Sequence, residues 1–373
     1  MIADPIALLG LLLGIAALAF WLEGRFSWAS KVGASLLIIV FGALLSNLDL
    51  VPLASPVYDV ILGPVTSLAI VWLLLSVNLR DVVRAGPRML MAFALAVVAT
   101  MAGAIAATLA FGGAFPGDAW RMAGALTGTY AGGSVNFVAV GREVGLSDSL
   151  FAATVAADNL MTAVWIGATL VLPLWLGRWY PRAGRLIDEA EGGFTGGALD
   201  VLSAKLRDLL ALAALAAALL VSAQWIASKT PSIPTVFWLT TLALAAGQLR
   251  PVQRLEGSFQ LGLLALNLFF AIIGVGSRIG EILAVGVEVL YFTATIVLVH
   301  GLIVYLAGRL LKLDVETLSV ASQAAVGGPS SALALTTARG WSALALPGVL
   351  VGLLGYALGT YAGLAIAALV RGW

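Results

Sequence analysis

The sequence predicts an all-α polytopic membrane protein, and three observations carry that prediction. Of the 373 residues, 61% are hydrophobic and 10% charged, with a mean hydropathy of +1.05, too little polar surface to keep a soluble chain of this length dispersed. The apolar residues come in runs long enough to cross roughly 30 Å of hydrocarbon as helices. The alternating pattern of a membrane β-barrel, with segments of about ten residues, is absent.

Taken in order, the apolar segments fall near 4–22, 32–48, 58–77, 89–112, 119–146, 149–176, 206–227, 232–248, 258–276, 282–307, 317–340 and 343–370. The first begins at Ile6 with no basic region before it, so it reads as a mature span and not as a cleaved signal. The longest polar interruption, 177–205, carries Arg178, Arg182, Arg185, Asp188, Glu189, Glu191 and Asp200. It divides the chain into a first transmembrane repeat (1–176), a cytoplasmic linker (177–205) and a second transmembrane repeat (206–373). Mixed charge and glycine in the linker suit a solvated connector.

Composition removes several function classes. The chain has no cysteine, which excludes disulfides and thiolate metal sites, and His300 is the single histidine. No HExxH, GxSxG or pair of intramembrane aspartates is present, so an enzyme is not expected. The formal charge of +1 predicts no nucleic-acid partner.

The two halves share unusual interruptions. TGTYAGGSVNFVAVG (127–141) and ASQAAVGGPSSALAL (321–335) each place a Gly-Gly pair in mid-segment, and Gly132-Gly133 lies 195 residues before Gly327-Gly328. Arg80 and Arg278, each closing an equivalent segment, are 198 apart. Charge placement then sets the topology. With every segment crossing, the 20 Lys and Arg split 9 to 11, against the positive-inside rule. If the fifth and eleventh segments dip in and return, 15 cations share one side and Arg121, Arg142, Lys229, Arg278 and Arg371 lie opposite. The expected architecture is therefore two inverted repeats, each of five spans plus one re-entrant or broken helix, with both termini outside.

Helix-breaking backbone in hydrocarbon must be satisfied by protein, water or ligand, and transporters use such breaks to hold solutes and ions. Thr127, Thr129, Gly132, Gly133, Ser134 and Asn136 in the first half, and Ser322, Gln323, Gly327, Gly328, Ser330 and Ser331 in the second, are the candidate substrate-binding residues; Tyr130 and Thr336 add hydroxyls nearby. Asp158-Asn159 lies about 15 Å along the sixth segment, where a carboxylate is costly. The pair is the candidate cation (metal-ion) site, for Na⁺ or a proton. His300 is expected near the cytoplasmic end of its span, Glu288 about a turn and a half inside the outer end, and Asn267 in an interhelical hydrogen bond. The tryptophans read mainly as interfacial anchors.

GTYAGGSVNFVAVG, AADNLM in the following segment and SQAAVGGPSSALA in the second half together resemble the membrane family catalogued as domain of unknown function 819. That family looks like a branch of the cation:proton antiporter and anion transporter superfamily, which includes bile-acid, glutamate and citrate sodium symporters. The resemblance implies a core domain moving in an elevator fashion against a panel that dimerises, with Gly132-Gly133 and Gly327-Gly328 as the discontinuous elements. It also makes Asp158-Asn159 the counterpart of the antiporters' acidic pair, with Asn in place of the second Asp. The expected function is cation-coupled symport of a small organic anion in a bacterial inner membrane, as a homodimer, with no cofactor beyond the coupling ion. A cation/proton antiporter is the alternative. Segments three to six and nine to twelve would form the core.

Overall fold

The computed structural model describes residues 4–181, 205–276 and 286–372, with backbone alone at 30–32. Arg278 and most of the 177–205 linker lie outside the described residues. Every regular element described is helical.

The main helices are α1 Pro5–Arg25, α2 Ser27–Val32, α3 Ala34–Asn47, α4 Pro56–Leu75, α5 Pro87–Phe111, α6 Ala119–Gly132, α7 Ser134–Glu143 and α8 Asp148–Leu176 in the first half. The second half has α9 Leu206–Lys229, α10 Thr235–Gly247, α11 Ser258–Gly276, α12 Glu288–Leu310, α13 Val315–Arg339 and α14 Ser342–Val370. Eight of them (α1, α4, α5, α8, α9, α11, α12 and α14) are long and apolar enough to span a bilayer. The apolar helices α3 and α10 are shorter, at 14 and 13 residues.

Local sequence explains where the helices begin. Asp4 caps α1 by accepting from the Ala7 amide at 2.8 Å. Ser147 caps α8 through the Leu150 amide at 3.4 Å, and Asp314 caps α13 through the Thr317 amide at 2.8 Å. Such caps satisfy amides that the helix itself leaves unpaired. Pro56 and Pro87 open α4 and α5 in the first turn, where no intrahelical donor is needed. Pro64 lies within α4, in a π-helical turn over Ile61–Val65, as expected where a missing N–H forces the ladder to adjust.

The helices pack in two groups. In one, α11 lies against α3 and α4, α4 against α9 and α10, and α1 against α3 and α11. Glycines allow the closest approach: a methyl group at Gly42 on α3 would strike the Ala271 carbonyl of α11, and one at Gly274 would strike the Ile39 carbonyl. In the other group α5 packs on α12, α6 on α14, and α13 on α14, α8 and α5. Here Gly103 of α5 abuts the Ile296 carbonyl of α12. The third and ninth segments, α4 and α11, thus pack mainly on α1, α3, α9 and α10. The sequence had placed them with the hairpin-bearing segments; their small-residue faces match the first group instead.

Candidate functional site

The sites of the two Gly-Gly pairs are sharp reversals of the chain. Gly133 has φ 79° and ψ 177°, and Gly328 has φ 75° and ψ −172°, a conformation accessible at low cost to glycine alone. Beyond Gly133, α7 folds back along α6: a methyl group at Gly128 would lie 2.9 Å from the Asn136 carbonyl oxygen. Residues eight apart in an unbroken helix are separated by about 12 Å, so α6 and α7 form a helical hairpin. The same reversal occurs within α13, where the Ser331 hydroxyl shares its one hydrogen between the carbonyl oxygens of Gln323 at 3.2 Å and Gly328 at 3.0 Å. Gly128 faces Asn136 as Gln323 faces Ser331, with the same 195-residue offset between them.

Tyr356 of α14 lies between the two tips. A methyl group at Gly133 would be 3.2 Å from its Cε1, and one at Gly328 would be 3.8 Å from its hydroxyl. Ser134 and Ser330, immediately past the breaks, are exposed, and Ser331 is partly so. The second arm of each hairpin begins at its tip, so the amides of both first turns and the positive ends of both helix dipoles sit there.

The other side chains flanking the breaks serve largely within the protein. Asn136 is fully buried: its amide donates to the carbonyls of Gly132 at 2.7 Å and Gly355 at 3.2 Å, and its oxygen accepts from Thr360 at 2.7 Å. Thr127 donates to the carbonyl of Ala123. Ser322 accepts from the Trp165 indole at 3.0 Å, and the Gln323 side-chain oxygen accepts from Thr169 at 3.0 Å. Gln323 Nε2 is buried without a partner. Thr336 bonds the carbonyl of Leu333 on its own arm.

Asp158 projects from α8 toward α6. Its Oδ2 accepts from Thr129 at 3.4 Å, and the hydroxyls of Tyr130 and Thr162 also face the carboxylate. Its Oδ1 and the Tyr130 hydroxyl are both buried without a hydrogen-bond partner that satisfies the geometry of one. A carboxylate ringed by three hydroxyls is an all-oxygen donor set, suited to a hard cation or a proton. Asn159 points elsewhere: its amide donates to the Val155 carbonyl at 3.0 Å and its oxygen faces Gly33, at the junction of α2 and α3. Neighbouring residues on a helix are about 100° apart, so the two side chains of the pair do not converge on one site. No group of three or more His, Asp or Glu that could hold a metal ion occurs among the described residues.

His300 differs most from its sequence reading. It is fully buried near the middle of α12, because the helix runs Glu288–Leu310 and so extends past His300 by three turns. Its ring nitrogens lie 2.9 Å from Thr100 Oγ1 and 2.8 Å from Ser322 Oγ. Trp165 is also buried at mid-helix, edge-on to the His300 ring, unlike the exposed Trp21, Trp28, Trp175, Trp179 and Trp225. Glu288 opens α12 as its first residue and is exposed. Asn267 bonds the Leu263 carbonyl of its own helix at 2.7 Å, with its buried oxygen unpartnered; this is not the interhelical bond expected. Arg80 is exposed just past α4. Thr100, Thr162, Trp165, Thr360 and Tyr356 were missed by sequence reasoning, since isolated hydroxyls and aromatics in apolar helices carry no pattern.

A separate cavity of about 500 Å³ opens between α4, α7, α9 and α10, lined by Thr66, Ser67, Arg142, Glu143 and Gln224 among others. It touches the π-helical turn of α4 and the end of α7 remote from the hairpin tip.

Comparison with known proteins places the chain in a family of membrane proteins. Residues 10–185 and 200–372 match the family described as Protein of unknown function (DUF819). The chain is also 31% identical over 366 residues to the "Uncharacterized membrane protein YjcL" of Bacillus subtilis (strain 168), covering 93% of this chain and 92% of the relative. The chain belongs to the DUF819 family of multi-pass membrane proteins.

Proposed function

We propose that this DUF819-family membrane protein is a secondary active transporter that couples uptake of a small organic anion to Na⁺ or a proton. The observation that carries the reading is the pair of hairpins turning at Gly133 and Gly328 with nearly the same backbone angles, beside a buried carboxylate. Two reversals of that kind in apolar segments are costly unless their polar groups serve a ligand or pathway. In this reading the tips, with Ser134, Ser330 and Ser331, receive the anion through first-turn amides, and Asp158 with Thr129, Tyr130 and Thr162 holds the cation.

The two packing groups support an elevator movement in an inverted-repeat framework. α5–α8 with α12–α14 would be the moving core, and α1, α3, α4, α9, α10 and α11 the panel through which two copies would pair. The contacts come in matched sets: α1 with α3 answers α9 with α10, and α3 with α11 answers α10 with α4. The bacterial relative supports placement in a cytoplasmic membrane. The cavity beside Arg142 would serve as the approach from the outer side.

One observation favours a cation/proton antiporter instead. Thr127, Asn136, Ser322 and the Gln323 oxygen are engaged by protein groups, which leaves few side chains for an organic solute. Thermal unfolding of the purified protein with small carboxylates, with and without Na⁺ and across pH, separates the two. Stabilisation by a carboxylate that needs the cation supports symport, whereas response to Na⁺ or pH alone replaces it with antiport. Asp158→Asn should abolish the cation response; an unchanged response in that variant removes Asp158 from the site.

A further inference from the structure

The buried residues around His300 form a directed chain of hydrogen bonds whose polarity can be read from donor count alone. The Trp165 indole N–H can only donate, and it donates to Ser322 Oγ. The single hydroxyl hydrogen of Thr100 goes to the carbonyl of Tyr130 at 3.0 Å. Thr100 Oγ1 therefore accepts from Nδ1–H of His300, and Ser322 donates its own hydrogen to Nε2. The Ala96 carbonyl, one turn before Thr100 on α5, gives the ring a further acceptor. A neutral imidazole with its hydrogen on Nδ1 satisfies every member, and a protonated ring would leave the Ser322 hydrogen without its acceptor.

This chain joins the two hairpins. Ser322 is on the first arm of α13, six residues before Gly328, and Tyr130 is on α6, three residues before Gly133. Tyr130 is held by its carbonyl on the His300 side while its hydroxyl faces Asp158 on the other. The helices packed on α12 are α5, α8 and α13. Their described charges are Arg88, Asp148, Asp158, Glu316 and Arg339, and α12 itself adds Glu288 and Arg309. All except Asp158 lie in a first or last turn.

We infer that His300 is a positioning residue that couples the two hairpins, relaying the occupancy of the Asp158 site on α6 to the geometry of the second break through Tyr130, Thr100 and Ser322. It touches neither ion nor solute. The inference rests on the cation reading of Asp158 given above. A cation that pulls the Tyr130 hydroxyl toward Asp158 shifts the Tyr130 backbone, and the bond chain passes that shift to α13. Thermodynamic linkage then makes the second hairpin bias cation affinity in return.

The chain has no native cysteine, so one introduced thiol reports without background. Ala334→Cys places it at an exposed position on the second arm of α13, outside the proposed binding residues. Maleimide labelling of the full-length protein in nanodiscs is compared with Na⁺ against choline, and in a second series at acid against neutral pH. In the A334C parent, the cation should change the labelling rate about fivefold or more, the lower end of ordinary allosteric coupling. In Thr100→Val, which keeps the shape of the side chain, and in His300→Ala, the rates should agree within about twofold. His300→Gln, which supplies one donor and one acceptor, should keep the response. A full response in T100V or H300A overturns the inference, as does loss of response in H300Q. T100V decides the matter if H300A does not fold. A parent that responds to neither cation series removes the cation reading of Asp158, and this inference with it. A parental response that survives in T100V removes the coupling alone.

Discussion

Asn136 is the residue whose bonds decide most about the first hairpin. Its side chain serves the Gly132 and Gly355 carbonyls and the Thr360 hydroxyl, so it ties the α7 arm to α14 and closes the tip on itself. Asn136→Ala should cost about 1–3 kcal/mol, because it strands buried partners. Thr360→Val should cost less, about 0.5–1.5 kcal/mol, and the double variant should cost less than the sum because both act on one bond. Thermal unfolding of the purified variants measures this cycle. Unaltered stability in N136A together with lost solute response would return Asn136 to the ligand. The sequence marked Asn136 as important, yet it could not say whether its amide faces a solute or another helix. That depends on residue 355, more than 200 positions away.

At the scale of the element, each hairpin depends on one glycine with a positive φ. Gly133→Ala and Gly328→Ala both force an L side chain into a conformation that costs roughly 1–3 kcal/mol. At Gly133 the methyl group would also press on Tyr356 at 3.2 Å, whereas at Gly328 the nearest atom, the Tyr356 hydroxyl, is an ordinary 3.8 Å away. G133A should therefore lower the unfolding temperature more than G328A. Equal losses would mean that backbone conformation alone sets the cost and that Tyr356 gives way freely. The paired glycines were legible as breaks, and their charge context favoured hairpins over crossings. Which glycine of each pair carries the turn was not legible, because Gly132 and Gly327 have the same chemistry as their neighbours. Tertiary packing decides it: Gly132 is pressed against the Gly355 carbonyl and must stay helical.

For the whole molecule, the hairpins are proposed to enter from opposite faces of the bilayer. Arg142 lies in the last turn of α7 and Arg339 ends α13, so both lie at the bases of the hairpins. Single cysteines at these positions should react with a membrane-impermeant maleimide from opposite sides of intact cells, R142C from outside and R339C only after permeabilisation. Labelling from the same side would contradict inverted halves. The grouping of α4 and α11 with α1, α3, α9 and α10 has a further consequence for movement. If the core moves, the contact surface that slides lies between α4 or α11 and the hairpin-bearing helices, one helix further inward than segment order suggested.

The sequence alone determined the solvent, the number and rough limits of the apolar segments, the two paired breaks and the carboxylate inside an apolar helix, since each is a local property of composition or spacing. It misplaced His300 because burial was judged from distance to the cytoplasmic helix end, drawn at Ala307 although α12 continues to Leu310. It read Asp158-Asn159 as one site because the residues are adjacent in the chain, although the helical turn of about 100° per residue sends them to different neighbours. Only the tertiary structure decided which polar groups meet. Hydrogen bonds such as Thr100 to Tyr130 and His300 to Ser322 join separate helices, and that pairing has no signature in either segment by itself.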